Sequence, residues 1–176
     1  MKTAGLPIAL LLLVGALSAQ QVKWDFDKLA ARASDSTEVS VDGPLLQMAG
    51  KFLSDTDKDQ AKVKKLIGGL KGIYVRTFEF KKPGEYSAAD VEPFRAVLRA
   101  PEWQRIVGTH SSEDGETVEV YIKNDSKGIG GVAIIATEPK ELTLVNIVGA
   151  VDLDSLSDLG RHFDFPEVEV DKNKKK

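Results

Sequence analysis

The chain contains no cysteine. That single absence removes a disulfide framework, a thiol nucleophile, a thiolate metal site and the acylated cysteine of a lipoprotein anchor. Histidine is nearly as scarce, with only His110 and His162, so chemistry built on imidazole has little to draw on. There is no large charge excess: 24 Lys and Arg stand against 27 Asp and Glu, a formal net charge of −3. A basic footprint for nucleic acid or an anionic membrane surface is therefore not expected. Nor is there an apolar run of the length a good transmembrane helix needs. The longest, residues 4–17, is apolar apart from glycine and proline.

What is present at that end is a targeting pattern. Lys2 precedes the apolar run, and the small residues Ser18 and Ala19 close it. One positive residue, a short apolar stretch and small residues at its end predict a secretory signal peptide, cleaved after Ser18 or Ala19. An uncleaved apolar anchor is the alternative. Cleavage implies a periplasmic or secreted protein with no membrane span left. Residues 1–19 are then leader, 20–165 a single domain and 166–176 a charged, disordered tail ending in three lysines. Loss of Lys2 leaves 23 positive and 27 negative side chains, a net charge of −4.

Periodicity gives the architecture. Residues 130–137 and 141–149 are two Val- and Ile-rich runs joined through Glu138-Pro139-Lys140, which predicts a hairpin. Both runs are apolar on both alternation phases, as in strands covered on two faces. Residues 117–123 alternate, with Val118, Val120 and Ile122 toward the core and Thr117, Glu119, Tyr121 and Lys123 outward. Further strands are predicted over 38–42, 73–80 and 106–110. Trp24, Phe26 and Leu29 suggest a short helix. Pro44 opens another with Leu45, Met48 and Phe52 as its stripe. A third carries Val63, Leu66, Ile67 and Leu70. A fourth begins at Ser87 in a Ser-x-x-Asp capping pattern with Asp90, but Pro93 fits only if the first turn starts near Asp90. Asp152 or Asp154 caps a last helix bearing Leu153, Leu156 and Leu159. Helices first and consecutive strands later give an α+β fold: a largely antiparallel sheet of about five strands with helices packed on one face.

The order of these features resembles the domain-of-unknown-function family numbered 4252, small exported bacterial proteins. The carrying features are the leader, the strand 73–80 after a glycine-rich helix end and Trp103 ahead of Ile106-Val107. They continue with the strand 118–122, Gly130-Gly131-Val132, and Asn146-Ile147-Val148-Gly149 running into Asp152-Leu153. The resemblance covers roughly residues 24–162 and implies the fold and an exported address. Many members look like lipoproteins, which this chain without cysteine does not. The family has no established activity, so the resemblance implies no catalytic residue.

The candidate chemistry is thin. Asp55, Asp57 and Asp59 suggest calcium, but the sixth and twelfth positions of an EF-hand loop would fall on Gln60 and Leu66 rather than Gly and Glu. A helix-capping turn accounts for them better. His110 lies near Glu113, Asp114 and Glu116, and His162 near Asp164; both read as solvated side chains rather than ligands. Gly128, Gly130 and Gly131 lie between strands, which predicts a hairpin turn with positive φ rather than a phosphate loop. Neither a cofactor nor a metal site is expected, and no catalytic residue is assigned. Two polar side chains stand out in apolar strands, Arg76 and Asn146, and each must find a partner or face water. If the strand 73–80 is covered on one side only, Tyr74, Arg76 and Phe78 share a side. Exposed, they form an aromatic and arginine row suited to a protein partner. The alternative pairs Arg76 with a carboxylate and puts the rings in the core.

The sequence thus favours an exported, non-enzymatic domain that binds a protein or envelope component through an exposed sheet face at Tyr74, Arg76 and Phe78. The alternatives are a carrier of a small apolar ligand and a hydrolase built on His110. Oligomeric state is not encoded in any of these patterns.

Overall fold

The computed structural model describes residues 22–126 and 128–151. The leader, the helix expected from Asp152 or Asp154, His162 and the charged tail lie outside these residues. The described chain runs as α1 (Asp27–Ala30), β1 (Asp35–Asp42), α2 (Gly43–Gly50), α3 (Lys58–Gly69), β2 (Leu70–Glu79), α4 (Ala88–Val97), β3 (Trp103–His110), β4 (Thr117–Asp125), β5 (Gly128–Thr137) and β6 (Glu141–Gly149). It is an α+β fold on one antiparallel sheet of six strands in the order β1-β2-β6-β5-β4-β3. The β5–β6 hairpin forms as its sequence predicts. β6 lies between β2 and β5, so both strands of the hairpin are interior to the sheet. Residues 35–37 extend β1 past the predicted 38–42. Their pairing with 77–79 of β2 supplies what the sequence, with no apolar alternation there, does not.

Register lines up the side chains in rows across the sheet, since directly opposed residues share a face. On one face Glu38, Arg76, Leu144, Ile135 and Glu119 form a row, and Ser40, Tyr74, Asn146, Ala133 and Tyr121 the next. On the other face Val39, Val75, Val145, Ile134, Val120 and Val107 stand in line across all six strands. Beside them is a row of Val41, Ile73, Ile147, Val132 and Ile122.

The first face carries the larger core. Val91, Phe94 and Leu98 from α4 and the turn after it, with Val22 and Leu29 from the N-terminal segment, pack on Phe78, Tyr121, Ala133, Ile135, Leu142 and Leu144. Trp24 and Phe26 lie against the same cluster, with Trp24 edge-on to Phe94 at 5.8 Å between ring centroids. α4 begins with the predicted capping arrangement: the Ser87 backbone N–H donates to the Asp90 carboxylate at 2.9 Å. Pro93 nevertheless lies inside this helix, which starts at Ala88 rather than near Asp90. Ala89, whose carbonyl loses its helical donor, is exposed and open to water.

The second face is met by α2 and α3 at one end, where Leu46, Leu66 and Ile67 join Leu70, Val132, Ile147 and Val151. Asp42 caps α2 by accepting from the Leu45 N–H at 3.0 Å, and Asp57 caps α3 by accepting from Asp59 and Gln60. The expected sheet of about five strands with helices on one face is thus six strands. α4 lies over one face, and the α2–α3 pair sits at the end of the other.

Three local expectations change. The stripe of α2 is not Leu45, Met48 and Phe52, which are exposed; Leu46 and Gly50 turn inward instead. A Cβ at Gly50 would lie 3.4 Å from the Ile67 side chain, so the small residue lets α3 approach. Glu119 and Tyr121 do not face out but are buried on the first face, where Arg95 of α4 reaches the Glu119 carboxylate and Tyr121 joins the core under α4. All three glycines of the run lie in β5, and only Gly128, its first residue, has positive φ. A Cβ on Gly131 would stand 2.9 Å from the Ile147 carbonyl oxygen.

Candidate functional site

The predicted Tyr74, Arg76, Phe78 row exists as a register feature of β2, and its three members meet different surroundings. Phe78 is 0% exposed and belongs to the first core, so it adds nothing to an accessible surface. Tyr74 and Arg76 are half-buried. They line a recess of about 70 Å³ with Val22, Trp24, Phe26, Glu38 and Asn146 among its walls. The recess lies where the segment ahead of α1 crosses the sheet face; of the short helix suggested by Trp24, Phe26 and Leu29, only Leu29 lies in α1. Asn146 holds that segment. Its side-chain oxygen accepts from the Val22 N–H at 3.0 Å, and its amide donates to the Val132 carbonyl at 3.3 Å. This buried asparagine is therefore partnered, as a polar group in the most apolar strand has to be.

Arg76 forms an ion pair with Glu38, its neighbour across β1 and β2, and lies over the Phe26 ring at 5.1 Å. A guanidinium held by a carboxylate edge and an aromatic face is positioned with little rotamer freedom. Both charges keep contact with water, so the pair adds little to stability and serves mainly to fix the arginine. Beside it, the Trp24 indole Nε1 is buried and has no hydrogen-bond partner among the described residues. The recess thus presents aromatic side chains beside a fixed cation.

A second polar cluster is not legible in the sequence. Glu119, 5% exposed, accepts from Arg95 of α4, from Arg105 of β3 at 3.1 Å and from the Tyr121 hydroxyl at 3.2 Å. Burial pushes its carboxyl up, but the hydrogen bonds and charges of Arg95 and Arg105 outweigh this and hold it below the usual value. Burial and the adjacent Glu119 raise the Tyr121 phenol. With both oxygens occupied by neighbours, Glu119 is a tie between helix and sheet rather than a free base.

Tyr86 makes a third polar contact, donating to the backbone carbonyls of Glu138 and Glu141 on either side of the β5–β6 turn. Burial pushes its phenol up to about 12. The Glu138 carboxyl is raised by burial and then by the charges of Glu141, Glu116 and Asp114.

The remaining sequence candidates stay apart from these clusters. His110 is exposed on the edge strand β3, and its Nδ1 lies 3.0 Å from the Thr117 hydroxyl across the strand pair. Asp114 pairs with the Ser111 hydroxyl at 3.2 Å. Asp57 caps α3, and Asp55 bonds Lys64 at 2.7 Å. Among the described residues, no group of three His, Asp or Glu side chains is placed to hold a metal ion, and no helix is long and apolar enough to cross a membrane.

Comparison with known proteins fits this fold without supplying a chemistry. No curated protein and no solved structure matches the chain. The domain of unknown function DUF4252 matches residues 30–159, from the end of α1 through all six strands. With most of its length inside that match, the chain belongs to the DUF4252 family.

Proposed function

We propose that this is an exported, non-enzymatic binding domain, delivered to the periplasm or the outside by residues 1–19, that engages a protein or envelope component. Its contact surface is the recess at Tyr74 and Arg76 rather than an open three-residue row, with Trp24, Phe26 and Glu38 completing it. The observation that carries this reading is the fixed arginine among half-buried aromatic side chains, the residue types that dominate binding energy at protein interfaces. Phe78, buried beside the recess on the same face, packs against the Phe26 ring at 5.8 Å between centroids.

The recess alone, about 70 Å³, is well short of the several hundred Å³ that small-molecule sites enclose, and the reading is not extended to a ligand carrier. The test is recovery of partners from the producing cell with the native chain, Arg76→Glu and Tyr74→Ala, each checked for an unchanged thermal midpoint. A partner held through this surface is expected to fall about tenfold or more in both variants. Undiminished recovery with both variants folded would place the contact elsewhere. Sequencing of the N-terminus of the exported protein checks the address: it should begin at Ala19 or Gln20.

A further inference from the structure

The sheet ends on two edge strands, β1 and β3, and they are built differently. β3 breaks register against β4 between Arg105 and Val107, and it carries an arginine. A break in the ladder and a basic side chain are common devices for closing an edge to further strands. β1 has neither. Its eight residues pair with β2 in unbroken register and include no proline, lysine or arginine. All but Val41 are exposed, Val39 by 44%.

Register also identifies the backbone groups of β1 that are left over. The Phe80 N–H donates to the Lys140 carbonyl, on the β6 side of β2. Backbone direction alternates along a strand, so the even-numbered residues of β2 turn toward β6 and the odd-numbered ones toward β1. The 3.1 Å approach of the Thr77 and Thr143 hydroxyls agrees, since side chains come nearest in pairs that exchange no backbone bonds. Opposite the odd-numbered residues of β2 stand Asp35, Thr37, Val39 and Val41. The N–H and C=O groups of Ser36, Glu38 and Ser40 therefore point away from the sheet. None of them has a partner among the described residues. An added strand would meet such a residue about every 7 Å.

The side chains along the edge define what that strand should carry. The charged residues of β1 are Asp35, Glu38 and Asp42, all acidic. The Glu38 side chain is 54% exposed even while paired with Arg76. Opposed side chains on paired strands attract when opposite in charge and repel when alike. A second copy pairing through this edge would crowd carboxylates from both copies into one ladder with no base on either strand. A basic residue opposite Glu38 on the first face fits instead. On the second face an aliphatic residue opposite Val39 would prolong the line of Val39 and Val75.

We propose that β1 is an open edge that accepts an extended segment of a partner protein, alternating basic and aliphatic residues, as a seventh strand. Main-chain bonds to Ser36, Glu38 and Ser40 hold it, and the charge of the edge selects it. This edge acts apart from the recess beside it, and the binding reading of the recess is not needed for it.

The probe is a blocked pentapeptide alternating lysine and valine, with lysine at both ends, titrated into the native chain and followed through its amide resonances. Shifts should be largest at Ser36, Glu38 and Ser40, whose amides should exchange several-fold more slowly at saturation. Ser40→Pro removes an outward N–H and leaves the bonds to β2, because proline is tolerated at such a position of an edge strand. With its thermal midpoint unchanged, it should weaken the probe about fivefold or more. N-methylation of the probe's central lysine, placed opposite Glu38, deletes a bond without altering the protein and should weaken binding similarly. Replacing the lysines of the probe by glutamate should weaken it about tenfold or more at low salt. Tyr74→Ala leaves the edge intact and should keep the affinity within about twofold. No binding, shifts centred away from β1, or affinity indifferent to both Ser40→Pro and N-methylation overturns the proposal. So does equal binding of the glutamate probe. Loss of the probe in Tyr74→Ala would give the contact to the recess, and dimerisation through β1 without probe would give the edge to a second copy; either also overturns it.

Discussion

The two faces of the sheet use the same six strands and end in different states of cover. Along β6 the first face presents Leu142, Leu144 and Asn146, exposed by 0%, 1% and 2%, whereas Thr143 and Val145 on the second face are half-buried. The first face is sealed by a helix and an aromatic-bearing segment that are far apart in sequence, and it contains buried charge and amide groups. The second face is aliphatic at its centre, with Thr77 and Thr143 sharing a hydroxyl hydrogen bond at 3.1 Å toward one end. Polar groups on the first face are therefore specific ties, each with a named partner: Asn146 to Val22, Glu119 to Arg95 and Arg105, and Arg76 to Glu38. The difference teaches that an aliphatic row does not by itself secure full cover, while the polar ties select which segment lies over a face.

The sharpest way to break this comparison is to cut into each face in turn. Phe94→Ala removes the ring between α4 and the aromatic pair Trp24 and Phe26 and is expected to lower stability by about 3–5 kcal/mol in a urea titration. Ile134→Ala on the second face should cost roughly 1–2 kcal/mol, the lower figure reflecting incomplete burial. Equal costs would mean that the two faces are equally closed.

The Glu119 tie comes next. Glu119→Gln keeps the shape and removes the charge facing Arg95 and Arg105, with an expected loss of about 1–3 kcal/mol, limited by the water contact of Arg105. The pH response has a definite sign. The folded carboxyl titrates below its unfolded value, so its contribution is complete above that value and is lost as the pH falls through the depressed one. Native protein should therefore lose stability below about pH 4, and Glu119→Gln should show a smaller loss over that range. Parallel pH curves would assign the acid sensitivity to other groups.

The smallest effect is expected from Phe52→Ser. Phe52 is 82% exposed, and a substitution there should change the unfolding free energy by no more than about 0.5 kcal/mol in a urea titration. A larger loss would show that the α2 end is covered after all.

Legibility follows the kind of force involved. The β5–β6 hairpin, the Ser87 and Asp90 cap and the alternation of β4 are readable because each rests on neighbours in sequence. α2 is readable as a helix but not in its inward side, since Leu45 and Leu46 are adjacent and equally apolar; only contact with Ile67 and the sheet distinguishes them. Glu119 reads as solvent-facing because a carboxylate in an alternating strand ordinarily meets water, and its partner Arg95 lies 24 residues away. Arg76 and Asn146 are recognisable as groups in need of partners, but which partners they take is a matter of register and of the path of residues 22–26.

By itself the sequence determined the element types, the order of helices and strands, the cysteine-free chemistry and the family. It could do so because periodicity, capping and turn preferences act over a few residues. Tertiary structure alone decided the strand order, the pairing of the arginines with Glu38 and Glu119, the burial of Phe78, and the recess lined by Tyr74 and Arg76. Those outcomes depend on segments separated by 14 to 124 residues in sequence, where burial and hydrogen-bond satisfaction of the whole sheet choose among local patterns that are individually indifferent.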